Sequence, residues 1–296
     1  MTAMDDKLKQ AAIELYDRFT HEGMDRREFT ARMVALAGSA AVAEALIGSI
    51  AASPAAAAVV PENDRRLRTS MTTLLGPLSK RPQYRAYVAE PVAKAREHTV
   101  LVIHENRGLN DHIRDVTRRL ALAGYYSVAP DFLSPSGGTP ANEDAAREAI
   151  GKLDLGKSVS DAVAMLDELR ARLDGGPKVG AVGFCWGGGF VNRLAVAAGG
   201  KLDAGVSFYG PAPDPSEAAK VQAPLAIHLA GLDERVNRTG FPWVTALRAA
   251  GKTVRFYLYD GVNHAFHNDT SAERYDKAAA DLAWKRTIAF FKRYLG

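Results

Sequence analysis

The single cysteine of this sequence lies in a pattern that is typical of a catalytic nucleophile. Residues 183–187 read Gly-Phe-Cys-Trp-Gly, which is the nucleophile-elbow pattern G-x-S-x-G with sulfur in place of oxygen. Because an apolar run precedes Cys185 and a glycine-rich run follows it, we expect a strand, a tight turn and a helix. That turn would hold the thiol above the sheet and place the Trp186 backbone N–H at a helix N-terminus, where it can stabilise an oxyanion. The alternative is a buried cysteine that serves only packing.

A carboxylate and a histidine follow the cysteine in an order that supports acyl transfer. In α/β-hydrolases the nucleophile, the acid and the histidine follow one another along the chain, each on a loop after a strand. Asp233 comes just after a predicted strand at 225–230, and His264 comes just after the next, at 253–259. His264 could then accept the thiol proton of Cys185, while Asp233 fixes the imidazole tautomer and stabilises the imidazolium. The sequence predicts that these three residues form a catalytic triad.

Neighbouring residues could fill two of the triad roles. Glu234 directly follows the predicted acid, and Asp260 lies in the loop of the histidine itself. His267 could serve as the base instead. His228 falls inside a predicted strand, so we expect it to be a buried core residue with satisfied hydrogen bonds.

The loop at 104–108, which reads His-Glu-Asn-Arg-Gly, is the second segment that could do chemistry. In α/β-hydrolases this loop supplies the second oxyanion N–H, so the backbone of Asn106 is the candidate donor. A carboxylate near a thiol disfavours the thiolate. Glu105 close to Cys185 would therefore keep the nucleophile protonated until substrate rearranges the pair. Alternatively, Glu105 is a solvated residue at a strand end.

Composition excludes several other classes of function. The 296 residues are 47% hydrophobic, which suits one large α/β domain with an appendage. The formal charge of +4 is mild, and no run of Lys and Arg interleaved with aromatics indicates a nucleic-acid surface. One cysteine excludes an intramolecular disulfide and a zinc site built from several cysteines. We expect neither a metal nor a cofactor.

Strands and helices alternate through residues 59–296, which predicts an α/β fold with a mostly parallel, doubly wound sheet flanked by helices. Two strands around a Gly-Pro turn at 76–77 are expected to begin the sheet in antiparallel fashion. Ligands of such folds bind at the carboxyl ends of the strands. The strands are predicted at 69–75, 83–89, 99–103, 126–130, at the elbow, and at 204–208, 225–230 and 253–259. The helices are predicted after Asn110 or Asp111, over 159–173, after the elbow, over 243–250 and over 284–295.

The first 58 residues form a segment that is separate from the predicted domain at 59–296. Residues 1–23 are polar and predict a helix; Arg26 and Arg27 then precede a weakly apolar, alanine-rich stretch with a candidate cleavage point near Ala58. This pattern is typical of a twin-arginine signal, which implies the export machinery as a partner and a periplasmic location. The stretch is too short and too weakly apolar to span a membrane, and Glu44 is unusual in a signal. The alternative is a cytoplasmic protein that keeps an amphipathic helix and an alanine-rich linker.

Over residues 83–296 the sequence resembles the dienelactone hydrolases, or carboxymethylenebutenolidases. The resemblance implies a cofactor-independent α/β-hydrolase that opens a lactone or ester through a thioacyl-enzyme, with Cys185, Asp233 and His264 as its triad. It also implies that Glu105 holds the resting cysteine and releases it when substrate binds. Exported members with a twin-arginine signal are similar to this chain throughout. The motifs that carry the resemblance are His-Glu-Asn-Arg-Gly-Leu at 104–109, Pro-Asp at 130–131, Gly-Phe-Cys-Trp-Gly-Gly at 183–188, Gly-Leu-Asp at 231–233 and Asn-His-Ala-Phe at 263–266.

The sequence departs from the best-studied members of that family where they bind substrate. Those enzymes hold the dienelactone carboxylate with two arginines, one shortly after the Pro-Asp motif and one four residues after the catalytic histidine. The matching segments here contain neither arginine, which favours a neutral lactone or ester in an apolar pocket. Arg107 could instead bind an anionic group. The candidate lining residues are Phe132, Trp186, Tyr209 and Phe266.

Two other classes of function stay open at this point. The same fold could serve a protein that binds a small ligand without catalysis. A cysteine peptidase is the third class, although no sequence feature indicates an extended peptide groove.

Overall fold

The protein is built around an eight-stranded sheet in the computed structural model, which describes residues 3–51, 58–76, 79–93, 98–172 and 177–296. The strands are β1 (Leu67–Leu74), β2 (Tyr84–Pro91), β3 (Thr99–Ile103), β4 (Tyr126–Pro130), β5 (Val179–Phe184), β6 (Ala204–Phe208), β7 (Leu225–Ala230) and β8 (Val254–Tyr259). Their order across the sheet is β1-β2-β4-β3-β5-β6-β7-β8. Strand β2 is antiparallel to β1 and β4, and the pairs from β4 to β8 are parallel. The predicted α/β fold with a mostly parallel sheet is confirmed.

Helices cover both faces of this sheet. In chain order the helices are α1 (Ala3–His21), α2 (Arg26–Ala37), α3 (Ala40–Ile50), α4 (Asp111–Leu122), α5 (Glu143–Gly151), α6 (Leu155–Ala171), α7 (Trp186–Ala197), α8 (Glu234–Ala249) and α9 (Lys277–Tyr294). The apolar side chains of α6, α7 and α8 share one core cluster with the sheet, and those of α4 and α9 share another. The sheet is therefore buried between two helical layers, which is why its central strands are apolar on both faces.

Strand β3 shows how the apolar runs fill both layers. Leu101 and Ile103 belong to the cluster with α6 to α8, whereas Val100 and Val102 belong to the cluster with α4 and α9. All four side chains are fully buried. Successive side chains of a strand point to opposite faces, so a continuous apolar run fits only a strand that is covered on both sides.

The predicted elements are present, but some helices begin earlier than expected, among them α6 at Leu155 rather than residue 159 and α9 at Lys277 rather than residue 284. Asn110 caps α4 as expected, its side chain accepting from the Ile113 N–H at 3.1 Å. Helix α8 begins at Glu234 rather than near residue 243, because the Asp233 side chain caps it, and Pro242 lies inside it. Helix α5 was not predicted. The expected turn residue Pro77 and the expected helix end at Leu173 lie outside the described residues.

Helices α1, α2 and α3 pack into a small core of their own. Asp25 caps α2 and Ser39 caps α3, each by accepting a backbone N–H of the first turn. Between them, Gly38 has a φ of 77°, a left-handed conformation that glycine adopts without strain. The buried apolar residues of this core are Ala12, Ile13, Tyr16, Phe19, Phe29, Met33, Ala43 and Ile50.

Within the described ranges, none of the helices is by itself long and apolar enough to cross a membrane. Helices α2 and α3 reach that length and composition only when taken together, and they are bent by 110° at the break between them.

The three N-terminal helices dock over the carboxyl-end loops of the sheet. Lys9 pairs with Glu273, and Gln10 exchanges side-chain hydrogen bonds of 3.0 and 3.1 Å with Asn263. Further along α1, the Phe19 carbonyl accepts from Arg147 at 2.6 Å. Because parallel strands direct their carboxyl ends to one edge, α1 lies over the edge where ligands bind in such folds.

Candidate active site

Cys185 occupies a strained turn between strand β5 and helix α7. Its backbone has φ 54° and ψ −113°, in the region that L-residues rarely adopt, and its N–H donates to the Phe208 carbonyl at 3.0 Å. Glycine is needed at position 183, since a Cβ there would lie 2.0 Å from the Gly187 carbonyl oxygen. The predicted strand, tight turn and helix are present. The turn presents a thiol that is only 4% exposed at the carboxyl edge of the sheet.

Replacing Gly183 by alanine should destabilise the protein, because the added methyl group would collide with backbone that cannot move aside. We expect a loss of about 3 kcal/mol or more in unfolding free energy, at the upper end of overpacking costs. Denaturant unfolding measures it. Gly48→Ala is the matched control, since a Cβ at this helical glycine has nothing within 4 Å, and it should raise stability by up to about 1 kcal/mol. Equal behaviour of the two variants would contradict the close approach.

His264 and Asp233 form a tight buried pair beside the thiol. The Nδ1–H of His264 donates to Asp233 Oδ2 at 2.5 Å, and the other carboxylate oxygen, Oδ1, caps α8 by accepting from Val236 N–H at 3.1 Å. Burial opposes the imidazolium, but beside a Cys185 thiolate the negative charges of Asp233 and Cys185 outweigh it and raise the pKa of His264 to about 10. Burial likewise opposes ionisation of Asp233, yet the His264 charge lowers the pKa of that carboxyl. The pair is suited to hold a proton taken from sulfur.

The structure brings the three predicted triad residues together and adds a fourth. The sulfur of Cys185 and one ring nitrogen each of His264 and His21 all lie within 4.8 Å of one another. The hydrogen bond of Cys185 Sγ is to Nε2 of His21, at 3.1 Å. The two imidazole rings are 4.8 Å apart, centroid to centroid. His21 was missed by sequence reasoning, because it lies 164 positions away at the end of α1 and no motif surrounds it.

The hydrogen bonds of His21 indicate its tautomer. Nδ1 lies 2.9 Å from the Asp17 carbonyl oxygen, which can only accept, so Nδ1 carries the proton. Nε2 is then unprotonated, and its lone pair faces Cys185 Sγ and accepts a hydrogen bond from the thiol. Burial, with the nearby charges of His264 and Arg235, lowers the pKa of His21 well below its usual value. His21 is therefore neutral, and the resting thiol points to it rather than to His264.

The predicted residues Glu105 and Asn106 lie beside Cys185 and line the same cavity. Glu105 Oε2 accepts from the Asn268 side-chain amide at 2.8 Å, and the hydrogen bond of the resting thiol goes to His21. The Asn106 side chain donates to the Thr20 carbonyl at 3.2 Å. Trp186 is the first residue of α7, and its ring stacks on His104 with centroids 5.3 Å apart. A backbone N–H at this helix position has no intrahelical acceptor.

The expected aromatic lining lies mostly in the core. Phe132, Tyr209 and Phe266 are fully buried. Phe132 packs between Tyr84 and Phe190, and Phe266 packs on Tyr259, so neither is among the described residues that line the cavity beside Cys185. The Tyr209 ring contacts His264 at 5.0 Å. The prediction of an apolar, aromatic-lined pocket is therefore wrong for the cavity beside Cys185, which has a polar lining. The aromatic rings pack under the edge of the sheet instead.

Two arginines line that cavity instead. Arg107, predicted as a possible anion contact, is buried and contacts the Tyr16 hydroxyl and Glu143. Arg274, which sequence reasoning missed, lies over the Tyr16 ring at 5.1 Å and pairs with the Asp17 carboxylate at 3.3 Å. Both arginines thus have partners on α1.

The alternative base His267 lies in the core. It stacks on Phe184 at 5.2 Å and packs against Trp284. His228, expected to be a satisfied core residue, is fully buried and bonds Tyr259 Oη at 2.8 Å through Nδ1. Of the predicted base His264 and its alternative His267, it is His264 that lies beside Cys185.

Helix α1 closes the site. The cavity beside Cys185 has a volume of about 10 Å³ and is lined on one side by Thr20 and His21. A groove of about 620 Å³ runs along the outer side of α1, between Gln10 and the loop that carries Asp233. An ester needs far more space than the inner cavity offers, so a substrate can reach sulfur only when α1 shifts.

The chemistry of this arrangement is of two kinds. A thiol on a strained turn beside a His–Asp pair can attack a carbonyl carbon and return a proton to the leaving group. A thiolate with two imidazoles is also a donor set that zinc prefers.

Comparison with known proteins agrees with this geometry. The sequence profile of the Dienelactone hydrolase family matches residues 84–295. A protein of Methylorubrum extorquens, provisionally named carboxymethylenebutenolidase, is 34% identical over 233 residues, covering 71% of this chain and 76% of the relative. An Escherichia coli protein with the same provisional name is 30% identical over 260 residues, covering 83% and 94%.

Solved structures are similar in the same region. The crystal structure of a protein from Klebsiella pneumoniae, described provisionally as a dienelactone hydrolase, superposes with a TM-score of 0.69 at 26% identity. It covers 77% of this chain and 99% of its own. The matched profile begins after helices α1 to α3, so His21 lies outside the shared unit. The chain belongs to the Dienelactone hydrolase family of α/β-hydrolases.

Proposed function

We propose that this protein hydrolyses a carboxylic ester or lactone through a thioacyl intermediate on Cys185. The observation that carries the proposal is the position of Cys185 on a strained elbow beside the buried His264–Asp233 pair. A non-catalytic binding protein on this fold would not need that backbone strain.

Each step assigns a proton to a named atom. His264 Nε2 takes the thiol proton, and the thiolate of Cys185 attacks the carbonyl carbon. The resulting oxyanion accepts hydrogen bonds from the backbone N–H groups of Trp186 and Asn106. The carbon–oxygen bond then breaks as the imidazolium returns its proton to the leaving oxygen. Water, deprotonated by His264, attacks the thioester and releases the acid and the thiol.

Helix α1 must move before this chemistry can begin. In the closed state the Cys185 thiol donates its hydrogen bond to His21. Nε2 of His264, the atom that takes the proton in the mechanism, therefore lacks the thiol as its partner. Moving α1 would remove His21 from sulfur and leave the proton to His264. His21 would then hold the resting thiol, the role that the family resemblance assigns to Glu105.

Weakening the dock of α1 should therefore raise activity. Lys9→Ala with Gln10→Ala removes contacts to Glu273 and Asn263 without touching the inner cavity. If the docked state loses about 1 to 2 kcal/mol of stability relative to the open state, kcat/KM should rise about 5- to 30-fold. The reason is that the apparent affinity for substrate scales with the fraction of molecules in which α1 is open. Lys7→Ala, at an exposed position of the same helix, is the control. An unchanged or lower kcat/KM in the double variant would show that opening does not limit turnover.

Arg107 and Arg274 favour a substrate that carries a negative charge. Both would lose partners on α1 when it moves, since Tyr16 and Asp17 hold them in the closed state. A substrate carboxylate could replace the Asp17 carboxylate at Arg274. The expectation of a neutral substrate rests on the absence of arginines at two positions, and Arg274 lies further along the loop that contains the second of them, between β8 and α9.

A panel of esters and lactones tests the proposed function. It should contain matched pairs, each an anionic compound and its neutral methyl ester, assayed with the wild type and with the variant in which α1 is loosened. We expect turnover, with the anionic member of each pair preferred. If neither protein cleaves any member, the hydrolase proposal fails; a preference for neutral members would overturn only the role of Arg274.

We also propose export through the twin-arginine route, on the strength of Arg26 and Arg27 at the start of α2, ahead of the apolar, alanine-rich helix α3. Removal near Ala58 would take His21 from the site and open it. The mass of the native protein tests this: loss of the first 58 residues supports export with cleavage, whereas an intact N-terminus in the cytoplasm supports the alternative in which α1 stays as a permanent cap.

A further inference from the structure

We propose that His21, Cys185 and His264 form a binding site for a zinc-class divalent cation, with one thiolate and two imidazole nitrogens as its protein ligands. The site joins α1 to two loops of the α/β domain. Its existence does not depend on the proposed hydrolysis, whereas its effect on turnover does.

The distances fit a single ion. The three ligand atoms lie within 4.8 Å of one another, and Sγ is 3.1 Å from His21 Nε2. Tetrahedral zinc, with Zn–S of about 2.3 Å and Zn–N of about 2.0 to 2.1 Å, holds sulfur and nitrogen roughly 3.5 Å apart. Side-chain shifts of roughly an ångström would bring all three atoms to bonding distance.

Both imidazoles are already oriented as metal ligands. His264 donates its Nδ1–H to the Asp233 carboxylate at 2.5 Å, and His21 donates its Nδ1–H to the Asp17 carbonyl at 2.9 Å. Nε2 is thereby left as the ligand atom of each ring, and that of His21 faces sulfur. A ligating histidine almost always donates its other N–H to a carboxylate or a carbonyl, which fixes the tautomer and raises the basicity of the ligand.

Within the described part of the chain, Nε2 of His264 lacks a hydrogen-bond partner, which indicates that a bound group is missing beside it. Among the described residues, Nε2 of His264 is buried and has no hydrogen-bond partner, and the residue is only 1% exposed. A buried polar atom left unpaired costs about 1 to 3 kcal/mol. A bound cation would satisfy it and would replace the hydrogen bond between His21 and sulfur with two metal–ligand bonds.

The surroundings can accept the positive charge. Arg107 and Arg274 border the cavity, but Arg107 is paired with Glu143 and Arg274 with Asp17. On the other side, Asp233 contacts one ligand directly, and the Glu105 carboxylate is bonded only to a neutral amide among the described residues. The cavity of about 10 Å³ is near the minimum for one water, which would be the fourth ligand.

Binding has a defined proton balance and a defined consequence. Cys185 and His264 share one proton, either as thiol and neutral imidazole or as thiolate and imidazolium. The cation displaces that proton to the buffer and takes both lone pairs. Sulfur is then no longer free to attack an ester, and α1 is held on the domain through His21. The metal would therefore keep the enzyme closed until it is removed.

Cobalt(II) titration of the full-length protein tests the site. We expect a thiolate-to-cobalt charge-transfer band and tetrahedral ligand-field bands that saturate at one ion per chain and disappear when zinc is added. His21→Gln should weaken zinc binding by at least about 100-fold, because even the outer partners of metal ligands contribute 10- to 100-fold. His21→Glu, which restores a ligand of similar reach, should bind within about tenfold of the wild type. Glu22→Ala, the adjacent position, should bind as the wild type does.

Two outcomes would overturn the proposal. One is the absence of a thiolate band at saturating cobalt. The other is equal zinc affinity of the His21→Gln and His21→Glu variants, which would place the ion elsewhere. Limited proteolysis of the N-terminal helices gives a readout without substrate, since zinc should slow cleavage of the wild type and not of His21→Gln. A blank ester panel with metal-free protein, together with a positive cobalt titration, would contradict the hydrolase proposal and leave the metal site standing.

Discussion

Replacing Cys185 by alanine should lower kcat for ester hydrolysis by about 10⁴- to 10⁶-fold, the range seen when a nucleophile is removed from a catalytic triad. Alanine cannot form the acyl-enzyme, so only the backbone N–H groups and substrate binding would assist direct attack by water. The rate is measured on an activated aryl ester that the wild type cleaves.

A matched control separates chemistry from folding. Cys185 is 4% exposed and lies in a core cluster, so the variant should be checked by thermal unfolding. A folded Cys185→Ala protein that keeps more than about a tenth of the wild-type rate would require another nucleophile.

Replacing Asp233 by asparagine should lower kcat by about 10⁴-fold while leaving the fold in place. Asparagine is as good a helix cap as aspartate, so the contact to Val236 that begins α8 can be kept. What is lost is the carboxylate that accepts from His264 Nδ1, so the imidazole can take the wrong tautomer. The substitution therefore alters the position of the proton on His264 and leaves the fold unchanged.

The same variant should change the pH profile in a defined direction. Of the causes that favour the imidazolium of His264, the charge of Asp233 is the largest, and it helps to raise the pKa to about 10. The wild type should therefore lose activity as pH rises through about 10, where His264 can no longer return a proton to the leaving group. In Asp233→Asn this upper limb should move to lower pH. Glu234→Gln and Asp260→Asn, the other carboxylates considered for the role, should leave both kcat and this limb unchanged.

Much of the fold follows from local pattern. Strands β3, β4, β6 and β7 have the predicted boundaries, because buried parallel strands read as short apolar runs between polar loops. Helix α8 starts nine residues before the predicted position at 243. Its start depends on a cap by Asp233, a residue that the sequence analysis had already assigned to chemistry; one side chain performs both roles with its two oxygens.

The site could be predicted only where each residue follows its own strand. Cys185, Asp233 and His264 each lie just beyond the carboxyl end of a strand, so order and strand topology suffice to bring them together. His21 and Arg274 carry no such signal. Their places depend on how α1 docks across the sheet edge, which is a matter of tertiary packing between segments far apart in the chain.

The most direct measurement is the mass of the enzyme quenched during turnover of a slow aryl ester. The proposed mechanism predicts one acyl group per chain, located on Cys185 within the tryptic peptide of residues 179–193. It should appear at the rate of the first product and disappear at the steady-state rate. Sustained hydrolysis with an unmodified Cys185, or an acyl group on any other residue, would contradict the central role of this thiol.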